Sequence, residues 1–300
     1  MEYIQTENKI ILSAPAKINL FLAITEKRTD GFHNISSVIS KIALSDQVTI
    51  EKTFNTDETT CICSNNESLS GKGNLAFQTV LKWREQTSIR TGIKVFIKKN
   101  IPLMGGLGGG SSDAIATLIG LNYLFDDLIS QKKLMNMSQA IGSDCPFFTS
   151  SGLAQVSGRG ERIRNLSADK KKSLNGRKLI LIQPPMGFST EVLYKDFSAN
   201  EKYSNKNWAE EHISFWEKNE ISFEDLLFND FEKVILKKYL FLNPLFRELR
   251  NIFGLNFHIS GSGSCFYSFL DESTHEELVR DHATKVLGPN FKFWITHISY

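Results

Sequence analysis

The sequence predicts an α+β protein of two domains: an N-terminal β-α domain over residues 1–165, then a C-terminal split βαβ (ferredoxin-like) domain over residues 166–300. Three observations lead there. The first half mixes long extended runs with a few helices of clear apolar period. The composition then shifts at residues 165–178 (NLSADKKKSLNGRK), a polar and basic connection that marks the boundary. Beyond it the elements read β-α-α-β-β-α-β.

Each element has a local reason. Residues 10–28 are strand material around SAPAKINLFLAI, and Thr29-Asp30-Gly31 is a turn because Asp-Gly supplies a positive φ at little cost. Residues 38–52 are again strand-rich. Residues 74–86 (NLAFQTVLKWREQ) carry apolar side chains at helical spacing, and residues 91–99 alternate as a strand that leads into a glycine loop. Helices are predicted at 111–125 and 128–141, and extended chain at 153–163. In the second half we read a strand at 179–183, a short helix at 190–195, a longer helical region at 231–253 and two strands at 256–260 and 265–270 around GSGS. A helix at 274–287 and a strand at 291–299 close the chain. The Phe-rich stretch at 223–253 reads as core of the second domain.

Composition narrows the function classes. Hydrophobic residues make up 41% and charged residues 23%, ordinary for a globular chain, and a net charge of +2 does not suggest a nucleic-acid scaffold. Cys61, Cys63, Cys145 and Cys265 have no zinc spacing and make no disulfide scaffold; Cys61 and Cys63 alternate as strand neighbours that simply pack. The N-terminus lacks a signal-peptide core and no apolar run reaches the roughly 18 residues that span a membrane, so a reducing cytoplasm is expected. His275-Glu276-Glu277 begins like HExxH, but Val279 stands at the second histidine position, and no metal site is predicted.

The chemistry concentrates in PLMGGLGGGSSDAIATLIGL, which begins at Pro102. Five glycines fall within residues 105–110, two serines follow, and an apolar helix begins. Glycine is the costliest residue to order, so the loop needs a reason. Backbone N–H groups without a Cβ in the way converge on an anion, and a helix start adds its unsatisfied N–H groups and positive dipole end. That suits a triphosphate. A P-loop is excluded because no Gly-Lys-Ser/Thr follows, and residues 105–113 fit the dinucleotide fingerprint in no register. Gly71-Lys72-Gly73-Asn74-Leu75-Ala76 matches its looser form by chance, since no strand leads into it.

Other residues carry possible chemistry. Asp144 lies between small residues beside Pro146, Phe147 and Phe148, and reads either as a helix cap or as a general base. Lys17 sits in an apolar strand pattern, either snorkelling to the surface or holding a carboxylate ionised. Asn19, two residues on, shares its face. His33 follows the Asp-Gly turn, where a histidine is commonly just solvated.

The loop Pro102, Leu103, Met104, Gly105, Gly106, Leu107, Gly108, Gly109, Gly110, Ser111, Ser112 resembles the nucleotide-binding motif of the GHMP kinase superfamily. Pro15-Ala16-Lys17-Ile18-Asn19-Leu20-Phe21-Leu22 resembles its N-terminal signature and Gly261-Ser262-Gly263-Ser264-Cys265 its C-terminal glycine motif. The three stand in the expected order along nearly the whole chain. Arg28-Thr29-Asp30-Gly31-Phe32-His33 and Ile141-Gly142-Ser143-Asp144-Cys145-Pro146-Phe147-Phe148 resemble the branch that acts on a cytidine-bearing alcohol, rather than on homoserine or mevalonate. Three departures are visible. Leu103-Met104-Gly105-Gly106 replaces a longer glycine run, Ser143-Asp144-Cys145 stands where Ala-Asp-Val is frequent, and Phe32 replaces a tyrosine and loses its hydroxyl.

The resemblance implies a two-domain GHMP kinase-like fold with its active site in the cleft between the domains. It implies ATP as co-substrate, Mg²⁺ with the ATP, and a small-molecule acceptor linked to cytidine diphosphate. It assigns catalysis to Lys17 and Asp144 and ATP binding to the glycine loop, with Asn74 and Lys99 on the nucleotide side. Asn19, Phe32, His33 and Thr190 fall to the substrate, with His33 against the cytosine. No nucleic-acid or membrane partner is implied, and the chain is a monomer or homodimer. A nucleic-acid-binding module on a related β-α fold is the rival from another class; the near-neutral charge and the glycine loop disfavour it.

Overall fold

A computed structural model describes residues 3–54, 56–271 and 274–300. Two long strands dominate the first half of the chain. Strand Lys9–Lys27 alternates in burial up to Ala16 and is then buried on both faces through Ile24, as its apolar run NLFLAI demands. Strand His33–Thr53 pairs antiparallel with Gly92–Lys98 over Gln47–Thr53, and with Leu153–Gly158 over Ile35–Ser40. Contacts divide the chain into two compact units. One is Met1–Ala16, Leu44–Leu103 and Gly108–Ser151; the other is Lys17–Ala43, Met104–Leu107 and Gly152–Tyr300. Each unit is assembled from separate stretches of the chain. The reason is length: strands of 19 and 21 residues serve both units.

In the first unit, Thr59–Cys63 adds parallel to Gly92–Lys98. Cys61 and Cys63 are both buried on one face of that strand, the packing role expected of them. Helix Gly109–Leu124 is buried almost all round, and a Cβ on Gly120 would come within 2.5 Å of Ile50 and 2.6 Å of Leu12, so only glycine lets the helix approach these side chains so closely. Helices Leu75–Thr87 and Gln131–Ile141 complete the unit.

In the second unit a four-stranded antiparallel sheet runs in the order His258–Ile259, Phe266–Phe269, Lys178–Gln183, Lys292–His297. This is the split βαβ order expected from the sequence. Ile180 and Ile182 of its central strand pack with Leu245 and Leu249 of helix Leu242–Phe253 and with Val279 of helix Glu276–Leu287.

Several local readings change. The polar stretch at 165–178 holds a helix, Ala168–Leu174, capped by Ser167; Lys170 lies buried over Trp216 with its ammonium on Asn219 Oδ1, so its charge hid an inward-facing position. Helix Lys206–Glu217, missed in a charged stretch, buries Ala209, Ile213 and Trp216 at i, i+4, i+7. The helical region at 231–253 is two helices, Phe231–Lys238 and Leu242–Phe253. Pro244 lies in the first turn of the second, where its missing N–H costs least. The short helix from Thr190 runs on to Asn200.

Candidate active site

The first unit carries the helix start. Gly108 is the N-cap of Gly109–Leu124 at φ +69°, no side chain caps the helix, and its first turn holds no acidic residue. The N–H groups of Gly109, Gly110 and Ser111 have no intrahelical acceptor by the geometry of any helix, and they point along its positive dipole end. A Cβ on Gly109 would lie 3.1 Å from Ile101 Cγ2 and 3.2 Å from Lys99 Nζ; on Gly110 it would meet only Leu75, at 3.9 Å. Ser112 is fully buried, and its hydroxyl donates to Pro15 O at 2.7 Å. Pro102 is buried and Leu103 exposed beside it.

Beneath that turn lies a buried ion cluster. Lys99 Nζ donates to Asp46 Oδ2 and, at 2.7 Å, to Asp113 Oδ2. Asp46 Oδ1 accepts the backbone N–H groups of Asn100 and Ile101 at 2.5 and 2.8 Å, pinning the chain that leads into the loop. Burial disfavours the Lys99 ammonium, but Asp113 and Asp46 outweigh it and raise its pKa. Burial pushes the Asp113 carboxyl up against the pull of Lys99, and Asp113 Oδ1 has no hydrogen-bond partner among the described residues. Asn74 is likewise committed to the protein. Its Oδ1 caps helix Leu75–Thr87 through Ala76 N at 2.8 Å, and its Nδ2 donates to Leu69 O at 2.8 Å.

Asp144 occupies the N-cap position of the short helix Cys145–Phe148 but makes no capping hydrogen bond there, so the cap reading fails; the residue is half-buried. The turn that holds it packs on the glycine loop. Cys145 Sγ lies 3.9 Å from Ser111 O, and a Cβ on Gly142 would be 3.9 Å from Ser111 Oγ. Burial raises the Cys145 thiol to about 11, an inert packing sulfur.

The second unit carries the other expected residues. Lys17 is only 4% exposed, which removes the snorkelling reading. Its Nζ donates to Asn19 Oδ1 at 2.6 Å, its N–H donates to Leu107 O at 3.0 Å, and a Cβ on Gly261 would lie 3.2 Å from the ammonium. Asn19 Nδ2 donates to Ser37 Oγ at 2.9 Å, and Tyr267 OH donates to Asn19 O at 2.8 Å. The GSGS loop is therefore pressed against Met104–Leu107. Gly106 sits at φ +72°, and any Cβ there would meet Ser260 O at 2.0 Å.

His33 is buried in a nook of the helix Thr190–Asn200. Its ring stacks on Tyr194 at 4.6 Å between centroids and 15° between planes, and its Nε2 is 2.7 Å from Ser198 Oγ. Ser198 Oγ already donates to Tyr194 O at 2.9 Å and accepts from Tyr203 OH at 3.0 Å. With that proton on Tyr194 O, His33 donates to Ser198 through Nε2–H, an arrangement that the neutral Nε2–H tautomer satisfies. Burial, and then the charge of Lys27, lower the His33 pKa, consistent with that neutral form. Phe32 is 50% exposed, with the Arg159 guanidinium 4.6 Å from its ring centroid. Thr190 Oγ1 is 2.7 Å from Ser262 Oγ.

Sequence reasoning missed Tyr194, Ser198 and Tyr203 around His33, Ser37 and Tyr267 around Asn19, and Asp46 with Asp113 around Lys99. One signal was there: Thr190, Tyr194 and Ser198 repeat at i, i+4, i+8 on one helix face. The others come from remote parts of the chain.

Residues 74–152 match the family described as GHMP kinases N terminal domain. Three curated relatives are each named 4-diphosphocytidyl-2-C-methyl-D-erythritol kinase. That of Clostridium botulinum (strain Alaska E43 / Type E3) is 33% identical, covering 87% of this chain and 91% of the relative. That of Acetivibrio thermocellus is 32% identical over 87% and 90%, and that of Desulfitobacterium hafniense 31% over 97% and 96%. Among solved structures, a 4-(cytidine 5'-diphospho)-2C-methyl-D-erythritol kinase superposes with a TM-score of 0.75 at 24% identity, covering 97% of this chain and 100% of that one. Homoserine kinase from Cytophaga hutchinsonii reaches 0.71 at 14% identity, over 99% and 97%. These two share the α+β fold described above.

Proposed function

The chain belongs to the 4-diphosphocytidyl-2-C-methyl-D-erythritol kinase family of GHMP kinases, and we propose that it transfers the γ-phosphoryl group of ATP to the 2-hydroxyl of 4-diphosphocytidyl-2-C-methyl-D-erythritol, a step of the methylerythritol phosphate route to isoprenoid precursors. A glycine loop serves any member of the superfamily, so the geometric observation that carries the choice of acceptor is His33. A neutral imidazole held by Ser198 and stacked on Tyr194 suits the flat, hydrogen-bonding edge of a cytosine.

In this reading the N–H groups of Gly109, Gly110 and Ser111 take the ATP phosphates. The Lys99 cluster, Asn74 and Ser112 hold the loop's foundations, because their side chains are already bonded to protein groups. Asp144 accepts the proton of the attacking hydroxyl as the P–O bond forms, and Lys17 neutralises charge that develops on the transferred group. Asn19, fixed by Ser37, orients Lys17, and Thr190 and Phe32 border the acceptor. Magnesium is proposed to arrive on the ATP phosphates, held by their oxygens and by water; among the described residues no three metal-ligating side chains gather. No step above is routed through the metal. Residues 1–165 and 166–300 are proposed as the two family domains and the cytoplasm as the location; no helix among the described residues is long and apolar enough to cross a membrane.

An ADP-release assay tests the reading: turnover is expected with the cytidine acceptor and not with homoserine or mevalonate. Turnover with either of the latter alone would sink it.

A further inference from the structure

Met104 is the one glycine-loop residue that adopts a left-handed backbone without being glycine, at φ +55°. An L side chain is strained there, and the resemblance leads one to expect glycine in this run. The backbone itself is tied down. Met104 O accepts Ser264 N–H at 2.8 Å, and Gly105 O accepts Cys265 N–H at 3.1 Å. The strain therefore brings no backbone bond that glycine would not make equally well. What methionine adds is a side chain, 66% exposed, laid across Gly187. A Cβ built on Gly187 would stand 3.1 Å from Met104 Cε and 3.5 Å from Sδ, and Gly187 has no left-handed φ to demand glycine. The three nearest atoms that a Cβ at Gly187 would meet all belong to Met104, so an alanine there would have to press the thioether aside.

The segment beyond Gly187 leads to the acceptor residues. Phe188 packs on Gly263, where a Cβ would be 2.7 Å from the ring, and Ser189 caps helix Thr190–Asn200 through Val192 N. That helix carries Thr190 on Ser262, Tyr194 under His33, and Ser198 on His33 Nε2.

We propose that Met104 is a positioning residue for the acceptor: its side chain pins Gly187, and so fixes the start of the helix that presents Thr190, Tyr194 and Ser198 to the cytidine end of the substrate. The proposal rests on the function proposed above. It accounts for a strained, exposed methionine at a place where glycine would relax the backbone, since strain persists where the surrounding structure uses it.

Four proteins test it: Met104→Gly, Met104→Leu, Gly187→Ala and the Met104→Gly/Gly187→Ala double variant. Met104→Gly is expected to raise the KM for the cytidine acceptor about 3- to 10-fold and to change the KM for ATP less. Its Tm should hold or rise by about 1–3 °C, because the left-handed strain is relieved. Binding and stability thus move in opposite directions, which a merely structural side chain would not produce. Met104→Leu, similar in volume, should keep the acceptor KM within about 2-fold of the original. Gly187→Ala should raise the acceptor KM in the original background and leave it unchanged in the Met104→Gly background. An unchanged acceptor KM in Met104→Gly, an equal rise for ATP, or equal effects of Gly187→Ala in both backgrounds overturns the proposal while leaving the kinase reading intact. Absence of turnover of the cytidine acceptor by the unmutated chain overturns the kinase reading and the proposal with it.

Discussion

Lys17 Nζ donates to Asn19 Oδ1 across 2.6 Å, two residues apart on one face of one strand, and Ser37 fixes the Asn19 amide from the neighbouring strand. An ammonium so aimed is held against loss of its direction, whatever else it meets. If Lys17 and Asp144 act on one transferred group, Asp144→Asn should lower kcat by about 10²–10⁴-fold with little change in ATP affinity. Lys17→Ala should lower it as well, and the double variant should lose less than the product of the two. Steady-state kinetics of the three variants decide the matter. A small Asp144→Asn effect beside a severe Lys17→Ala effect would make Asp144 a positioning group, because a loose transition state asks little of a base.

His33 gives a pH dependence whose sign is fixed. Burial lowers its pKa below the ordinary 6.5, so folded and unfolded chains both hold it neutral well above that pH. As the pH falls through 6.5 the unfolded chain takes up the proton first, and stability from this group is lost toward acid. The acceptor KM should accordingly be flat above pH 6.5 and rise as the pH falls through the lowered pKa of His33, with the ATP KM less affected. His33→Ala should weaken the cytidine acceptor and spare ATP. Equal losses for both ligands would assign His33 to folding.

The loop glycines are not equivalent. Gly106→Ala drives a Cβ to 2.0 Å from Ser260 O at a φ that disfavours any side chain, whereas Gly110→Ala meets only Leu75 at 3.9 Å. Gly106→Ala should lower both Tm and kcat/KM, and Gly110→Ala should leave Tm nearly unchanged. Gly109→Val, crowded by Ile101 and Lys99, should raise the ATP KM; a folded Gly109→Val enzyme with unaltered ATP affinity contradicts the phosphate cradle.

The Lys99 cluster is asymmetric. Asp46 accepts two backbone N–H groups and the ammonium, while Asp113 leaves Oδ1 without a partner among the described residues. Removing Asp46 strands the two backbone N–H groups and leaves Lys99 with Asp113 alone, so Asp46→Ala should cost about 2–6 kcal/mol, roughly 1–3 kcal/mol for each stranded buried donor. Asp113→Asn keeps the shape and a carbonyl acceptor for Lys99 and exchanges one unpartnered buried atom for another, so it should cost less than Asp46→Ala. Urea unfolding of the two variants at pH 7 measures the difference.

Much of this protein was legible in its residues. The strand material around SAPAKINLFLAI, the alternation in TGIKVFIKK, the apolar period of NLAFQTVLKWREQ, and the glycine run before an apolar helix are local signals, and the corresponding elements form where they point. The same holds for the split βαβ order of the second half. Charge misled where a buried face was narrow: Lys170 and the helix Lys206–Glu217 look solvated in sequence, yet pack through aliphatic stems and a three-residue stripe.

The sequence by itself determined most of the elements, the glycine loop and the family, because each is written in neighbouring residues. Tertiary structure alone decided the partners. That Lys99 meets Asp46 and Asp113, that Asn19 meets Ser37 and Tyr267, and that His33 lies on Tyr194 and Ser198 are contacts across separations of up to 248 residues. Local propensity carries no information over such distances. It took the folded chain to show that Asn74 and Ser112 were already bonded, that Asp144 caps nothing, and that Met104 holds a glycine's conformation with a methionine's side chain. Hydrogen-bonding capacity is finite and space is exclusive, so which groups stay available for a substrate is settled only when all the others have found their places.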